Sequence, residues 1–318
     1  MRDTPKEHQS TALPIRSWME EQQQKMTTRK VLEKCIPYAL KGITALSIFT
    51  TLLIIITLLT ETITFFKHVP FLDFFTGTIL KPLSQEPAFG IVPLVVGTLT
   101  STVIAMIVAV PIGLMTAIYL SEYASENRRK TMKPLLEVLA GIPTIVYGFF
   151  AFTFVTPLLQ KVIPSLETTN ILSPGIVMGI MIIPMIASLS EDAMHAVPTS
   201  MRDGALALGA TKLEVTWRVI LPASLSGIIS SIVLAISRAI GETMIVTIAS
   251  GSSKQLTFDI TQSMQTMTAY IVEVTSGDAA AGSTIYYSLY AVAMTLFIFT
   301  FLMNMCAKYI AKRFREDY

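Results

Sequence analysis

Cysteine, histidine and charge are all scarce in this chain of 318 residues, and each scarcity excludes something. The two cysteines, Cys35 and Cys306, lie at opposite ends with no CxxC and no metal-ligand spacing, so neither a disulfide framework nor a thiolate metal site is encoded. They read as free thiols near a membrane surface. His8, His68 and His195 are scattered, and no HExxH occurs, so a histidine metal site is not expected either. Charged residues make up 14% of the chain, against about 25% in an ordinary soluble domain. With 52% hydrophobic residues and a mean hydropathy of +0.59, the composition is that of an integral membrane protein. The net charge of +2 says little, because in such proteins the placement of charge matters more than its sum. No nucleic-acid partner is implied.

Six stretches have the roughly 20 apolar residues that a membrane-spanning helix needs. They are Gly42–Thr60, Pro87–Ser121, Val138–Gln160, Thr168–Ser190, Val219–Ser237 (continuing past Arg238) and Ala279–Ala307. The second is longer than a bilayer requires. It is expected to begin with an interfacial segment, Phe89–Leu94, and Pro111 is a candidate kink. The polar residues 1–35 read as a cytoplasmic tail, flexible or a surface helix, ahead of a first retained span over 36–66. A signal peptide would place a short apolar region nearer the terminus.

Lysine and arginine set the orientation. Residues 1–41, 121–137, 191–218 and 308–318 hold 19 of the 24, the alternate loops hold four, and Arg238 stands alone in the core. Both termini, including a short tail over 311–318, are therefore expected in the cytoplasm, with an even number of spans. Of the outer loops, 67–90 mixes Phe, Pro and Gly, and 250–282 is polar and reads as solvated or as a docking surface. Gly175 and Gly179 form a GxxxG pair, the spacing at which helix backbones approach closely.

Two features carry chemistry. Arg238 lies inside the apolar segment Val219–Ile248, with Glu242 one helical turn later. A charge at the bilayer centre costs on the order of 3 kcal/mol and marks an ion pathway by default. Residues four apart share a helix face, so both side chains are expected to point into one cavity. Arg238 is the candidate anion ligand. Glu242 is expected to hold it or to repel the anion onward; a structural ion pair is the plainer alternative. Glu137 sits at the expected cytoplasmic edge of the third span, and Thr243, Thr247 and Ser250 are further path candidates. An intramembrane enzyme would need a nucleophile with a base, or paired aspartates, and the apolar core offers only Arg238 and Glu242.

The second feature is Asp203-Gly204-Ala205-Leu-Ala-Leu-Gly209, followed after nine residues by Val219-Ile-Leu221-Pro222. It resembles the EAA motif of ABC importer permeases, with Asp203, Gly204 and Val219 as mild departures and Ala205, Gly209, Leu221 and Pro222 in register. Ser200–Leu208 is expected to form a short helix along the membrane, ended by Gly209, and Pro222 to fall in the first turn of the next span. Ala205, Leu206 and Leu208 are expected to offer apolar contacts to a partner. The resemblance makes this segment a coupling helix seated in an ATPase subunit. Gly204-x4-Gly209 is no phosphate-binding loop, since Ala210 stands where lysine is required and no strand precedes it.

Leu139–Phe150, Ser188–Ala193, Ala196–Pro198 and Arg238–Met244 extend the likeness, over roughly residues 88–310, to the C-type permeases of phosphate ABC importers. That resemblance implies an all-α, six-span, type I importer permease fold: a five-helix core plus an N-terminal helix. It also implies a non-catalytic subunit that binds no cofactor, with ATP and magnesium used by two ATPase partners. A homologous A-type permease would complete a heterodimer, and an external phosphate-binding protein would deliver substrate. Another oxyanion (molybdate, sulfate or phosphonate) is the nearest alternative. An ATP-independent transporter or channel would explain Arg238 but not the coupling motif.

Overall fold

The apolar runs become helices, though two of them break where proline, glycine and serine fall. The computed structural model describes residues 13–277 and 279–313. The chain divides into two units, Met1–Thr57 and Leu58–Tyr318. The first is the greater part of helix α1 (Leu13–Phe66), whose 54 residues run unbroken through Pro37. The expected division between a tail and a first span is therefore not a break in secondary structure. Only the portion Cys35–Phe66 is apolar enough to cross a membrane. Its exposed surface is Ile43, Leu46, Phe49 and Leu53. Several of its hydroxyls are satisfied within the helix: Thr44 donates to Leu40 O at 2.9 Å, and Thr50 to Leu46 O at 2.7 Å. Back-bonded hydroxyls of this kind leave nothing unpaired for lipid to meet.

In the second unit, helix α2 (Phe71–Thr76) is followed by a small hairpin. Its strands β1 (Leu80–Lys81) and β2 (Ala88–Phe89) pair Leu80 with Phe89 and Lys81 with Ala88. This hairpin is a local exception to the all-α expectation. Within the expected lead-in Phe89–Leu94, Phe89 is a buried strand residue, edge-on to Phe65 at 5.6 Å, and Val92 already begins the helix. Helix α3 (Val92–Ile118) runs on through Pro111 and ends in a π-helical turn, Tyr119–Tyr123.

The third expected span is two elements. Helix α4 (Glu126–Gly141) meets helices α5 (Thr144–Phe150) and α6 (Thr156–Gln160), which a π-helical turn joins, at a bend of 83°. Ile142, held extended by the following Pro143, makes the corner (φ −66°, ψ 129°). The Tyr147 hydroxyl donates to Leu139 O at 2.8 Å, a carbonyl that also accepts from Ile142 N at 3.4 Å where α4 ends. Helix α7 (Leu172–His195) is a single span that carries Pro184 within it. Helix α8 (Thr199–Ala207) follows, then α9 (Lys212–Val215), a π-helical turn, α10 (Leu221–Ala223) and α11 (Leu225–Ile240). The fifth span thus begins at Lys212, earlier than its charge-free run, and bends by 69° at Ser224. Pro222 lies in the first turn of α10. Helices α12 (Met244–Ala249), α13 (Met267–Ser276) and α14 (Thr284–Arg313) complete the unit. Four single helices plus two bent pairs give the six spans expected by number.

Glycine lets α3 and α7 meet closely. A methyl group at Gly175 would lie 2.7 Å from Ile104 Cγ2, and one at Gly179 would lie 2.8 Å from Ala105 O, so the GxxxG pair is the seam between α7 and α3. Around it pack Ala105, Ala109, Met178, Ile182 and Ile186, all fully buried.

Candidate functional site

Arg238 and Glu242 do not share a helix face. Helix α11 stops at Ile240, and the chain turns through Gly241–Thr243 before α12 begins. This corrects the expectation of a continuous helix through Ile248. The glycine at the end of α11 permits the stop, and Glu242 sustains it. The Glu242 carboxylate turns inward, with 8% exposure, and accepts from the N–H groups of Met244 and Ile245 at 3.1 and 3.4 Å. Negative charge at a helix start satisfies donors that have no partner within the helix. The Thr268 hydroxyl donates to Glu242 O at 2.7 Å and fixes the turn from the other side. Arg238 is exposed on α11, with Nη2 3.9 Å from Met181 Sδ. Among the described residues no ion pair joins the two.

The motif block over Ile142–Gly148 packs against this turn. A methyl group at Gly148 would lie 2.9 Å from Ile248 Cδ1 and 3.1 Å from Met244 O, so α5 and α12 meet at backbone distance. Two segments almost a hundred residues apart in sequence therefore form one broken-helix centre. The other path candidates are spent locally. The hydroxyls of Thr247 and Ser250 donate to Thr243 O and Val246 O at 2.7 Å, and Ser250 is wholly buried.

The segment after α12 is not the solvated loop expected over 250–282. Met264 N donates to Ser250 O at 3.1 Å, Gln265 N to Ser253 O at 3.0 Å, and Ile171 N to Gln262 O at 3.2 Å. Met264 through Tyr270 are buried, and Tyr270 donates to or accepts from Ser288 at 2.7 Å. Asp259 remains fully exposed; hydrogen bonds from Thr261 hold its carboxyl below the usual range.

The EAA-like segment has two faces. Asp203, Gly204, Leu206 and Leu208 are exposed, with Leu208 at 91%. Ala205 and Leu221 instead pack against a buried cluster of Ala117, Met194, Val197, Val215, Ile220 and Ile228. Ala205 thus anchors the helix inward rather than offering itself to a partner. Gly209 has φ +87° and ends α8 as expected, with Gly209 N donating to Leu206 O at 2.9 Å and Ala210 N to Ala205 O at 3.2 Å. Thr211 and Glu214 then form a capping box that starts α9.

One cluster had no assigned role. Glu191, near the C-terminal end of α7, is wholly buried and pairs with Arg129 and with Lys133, the latter at 2.6 Å; Lys133 also meets Asp192 at 2.9 Å. Its acids lie in the Ser188–Ala193 block and its cations in a basic run on α4, but nothing in the sequence joined the two. Glu137 is exposed. Among the described residues no group of histidine, cysteine and carboxylate side chains forms a metal cluster.

Residues 109–316 match the family described as binding-protein-dependent transport system inner membrane component. A Bacillus subtilis protein named probable ABC transporter permease protein YqgH is 31% identical over 242 residues, covering 76% of this chain and 78% of its own. The phosphate transport system permease protein PstC of Mesorhizobium japonicum is also 31% identical, over 261 residues, with the same coverage of each. In fold, the chain is similar to one from a bacterial alginate ABC transporter crystallised with its periplasmic protein, with a TM-score of 0.62 over 88% of this chain and 96% of that one at 13% identity. The chain therefore belongs to the inner membrane components of binding-protein-dependent ABC importers, the multi-pass permease subunits of those systems.

Proposed function

We propose that the chain is a permease subunit of an ATP-driven importer of inorganic phosphate, and that Arg238 receives the anion on its way through the membrane. The observation that carries this is the exposed guanidinium of Arg238 within the apolar segment 219–248, where lipid is the costliest neighbour for a charge and a polar path the natural one. Its planar fork of donors matches the oxygens of phosphate. The name of the PstC relative supports phosphate over other tetrahedral oxyanions.

The remaining roles follow from the site. Glu242 orders the broken helix beside Arg238 rather than pairing with it. The exposed face of α8 (Asp203, Gly204, Leu206, Leu208) is the seat for one ATPase subunit, with Gly209, Leu221 and Pro222 shaping the segment. This chain hydrolyses nothing and holds no cofactor. ATP and magnesium act on two ATPase subunits, an external phosphate-binding protein supplies the anion, and a homologous A-type permease provides the second half of the path. The placement of lysine and arginine supports cytoplasmic termini.

Arg238→Gln tests the reading. It retains hydrogen-bonding capacity but removes the charge. Uptake of labelled phosphate by the reconstituted complex should fall by about tenfold or more, the scale of one lost charge-assisted hydrogen bond of about 1.5–3 kcal/mol. Arg238→Lys should retain part of the uptake, because a point charge remains while the fork is lost. Full uptake by Arg238→Gln at normal abundance would refute the anion role. Competition by molybdate, sulfate and phosphonate in the same assay ranks the oxyanions.

A further inference from the structure

Arg202 was not singled out by any motif, yet it is the residue through which α8 grips the rest of the permease. It precedes Asp203 on α8 and is mostly buried, with 18% side-chain exposure. Its Nη1 lies 3.0 Å from Glu122 Oε1, in the π-helical turn that closes α3. Its Nη2 donates to Met194 O at 2.6 Å, in the last turn of α7. One planar group therefore spans the inner ends of the two helices that the glycine seam locks together. Glu122 is itself held in place: Ser121 donates to its Oε1 at 2.6 Å, and Lys212 of α9 reaches its backbone oxygen at 3.5 Å.

The other inward contacts of α8 are unlike this one. Met201 and Ala205 are partly buried apolar side chains, which resist separation but set no direction. A guanidinium with two acceptors on two helices has a fixed orientation. In addition, Arg202 Nε is buried with no hydrogen-bond partner. A buried donor without an acceptor is costly.

We propose that Arg202 is a positioning residue for transport: it carries displacement of α8 to α3 and α7 by holding Glu122 and the Met194 carbonyl at once. This rests on α8 being the ATPase-facing helix, and it adds the link from that helix to the spans. Transmission then fails when the link is cut, although docking survives, because the exposed face of α8 is untouched.

The test uses the complete complex in proteoliposomes, with labelled phosphate and its binding protein outside, ATP enclosed, and uptake and ATP hydrolysis measured together. For Arg202→Gln and Glu122→Gln, ATPase subunits should co-purify at the wild-type ratio and hydrolysis should persist. Phosphate imported per ATP should drop by about tenfold, the scale of one charge-assisted contact. Arg202→Lys reaches one acceptor but not both, and should give an intermediate ratio; it carries the test if the Gln variant fails to accumulate in the membrane. An unchanged ratio in Arg202→Gln, or in Arg202→Lys where it stands in, overturns the proposal. Loss of co-purifying ATPase from a correctly inserted variant also overturns it, since Arg202 would then belong to the docking face. Gly209→Trp separates the underlying reading: if that variant still binds and is driven by the ATPase, α8 is not the coupling helix, whatever Arg202 does.

Discussion

Replacing Gly179 with valine puts a branched side chain where the structure has room for none. Even the first carbon would lie 2.8 Å from Ala105 O and 2.8 Å from Val108 Cβ. Carbon atoms rest at about 3.5–4.0 Å, so α3 and α7 must separate by roughly 0.7 Å or more. Neither obstacle is the loose end of a side chain. The two helices also meet at Gly175 and at Gly113, where a methyl would lie 2.8 Å from Ile186 Cγ2, so a local shift propagates along the seam. Overpacking of this kind costs about 1–3 kcal/mol, and two γ carbons beyond the first place valine at the upper end. Valine is a somewhat better helix former than glycine, which returns roughly 0.5 kcal/mol. A net loss of about 2–3 kcal/mol remains, a fall in Tm of roughly 3–5 °C for a chain of this size. Gly204→Ala is the opposite case. Nothing lies within 4 Å of the new methyl, and α8 gains about 0.5–1 kcal/mol from the lost backbone freedom. Unfolding followed by tryptophan fluorescence in detergent should therefore move in opposite directions for the two variants. A Gly179→Val protein as stable as the parent would refute the seam.

Glu242→Gln keeps an acceptor for the start of α12 and should leave Tm within about 1 °C, whereas Glu242→Leu should lose about 1 kcal/mol, as a missing cap does. Equal stability of the two variants in the same unfolding assay would contradict the capping role. Gly209→Ala must adopt φ +87° with a side chain and should cost about 1–2 kcal/mol, read from the protection of α8 amides against hydrogen exchange. Tyr147→Phe removes the bond to Leu139 O and should cost about 1 kcal/mol; an unchanged Tm would mean that the corner at Ile142 stands without it.

Hydropathy located every span because each must present about 20 apolar residues to lipid, and that need is written residue by residue. The end of α8 was equally plain, since only glycine suits the left-handed turn at Gly209. The corners were harder. Ile142 and Ser224 sit in runs that remain apolar on both sides, so composition cannot distinguish a bent pair from one straight span. The pairing of Arg238 with Glu242 failed for the same reason: a spacing of four implies a shared face only if the helix continues, and here Glu242 itself ends it by binding the next helix start. The Glu191 cluster depends on α4 and α7 meeting some 60 residues apart, and local spacing carries no record of that.

That cluster has a consequence for descent. Glu191 and Asp192 against Arg129 and Lys133 make a group of four charges that balance to zero, with the central carboxylate wholly sealed from water. Losing either cation leaves the Glu191 carboxylate short of compensation in a medium that solvates ions poorly, whereas Asp192, 58% exposed, strands nothing when it goes. Lineages can therefore keep Glu191 with its two cations or surrender that acid together with a base, while Asp192 drifts as ordinary surface charges do. Across related permeases Glu191 and a base on α4 should change together, as a correlated mark of α4 lying against α7.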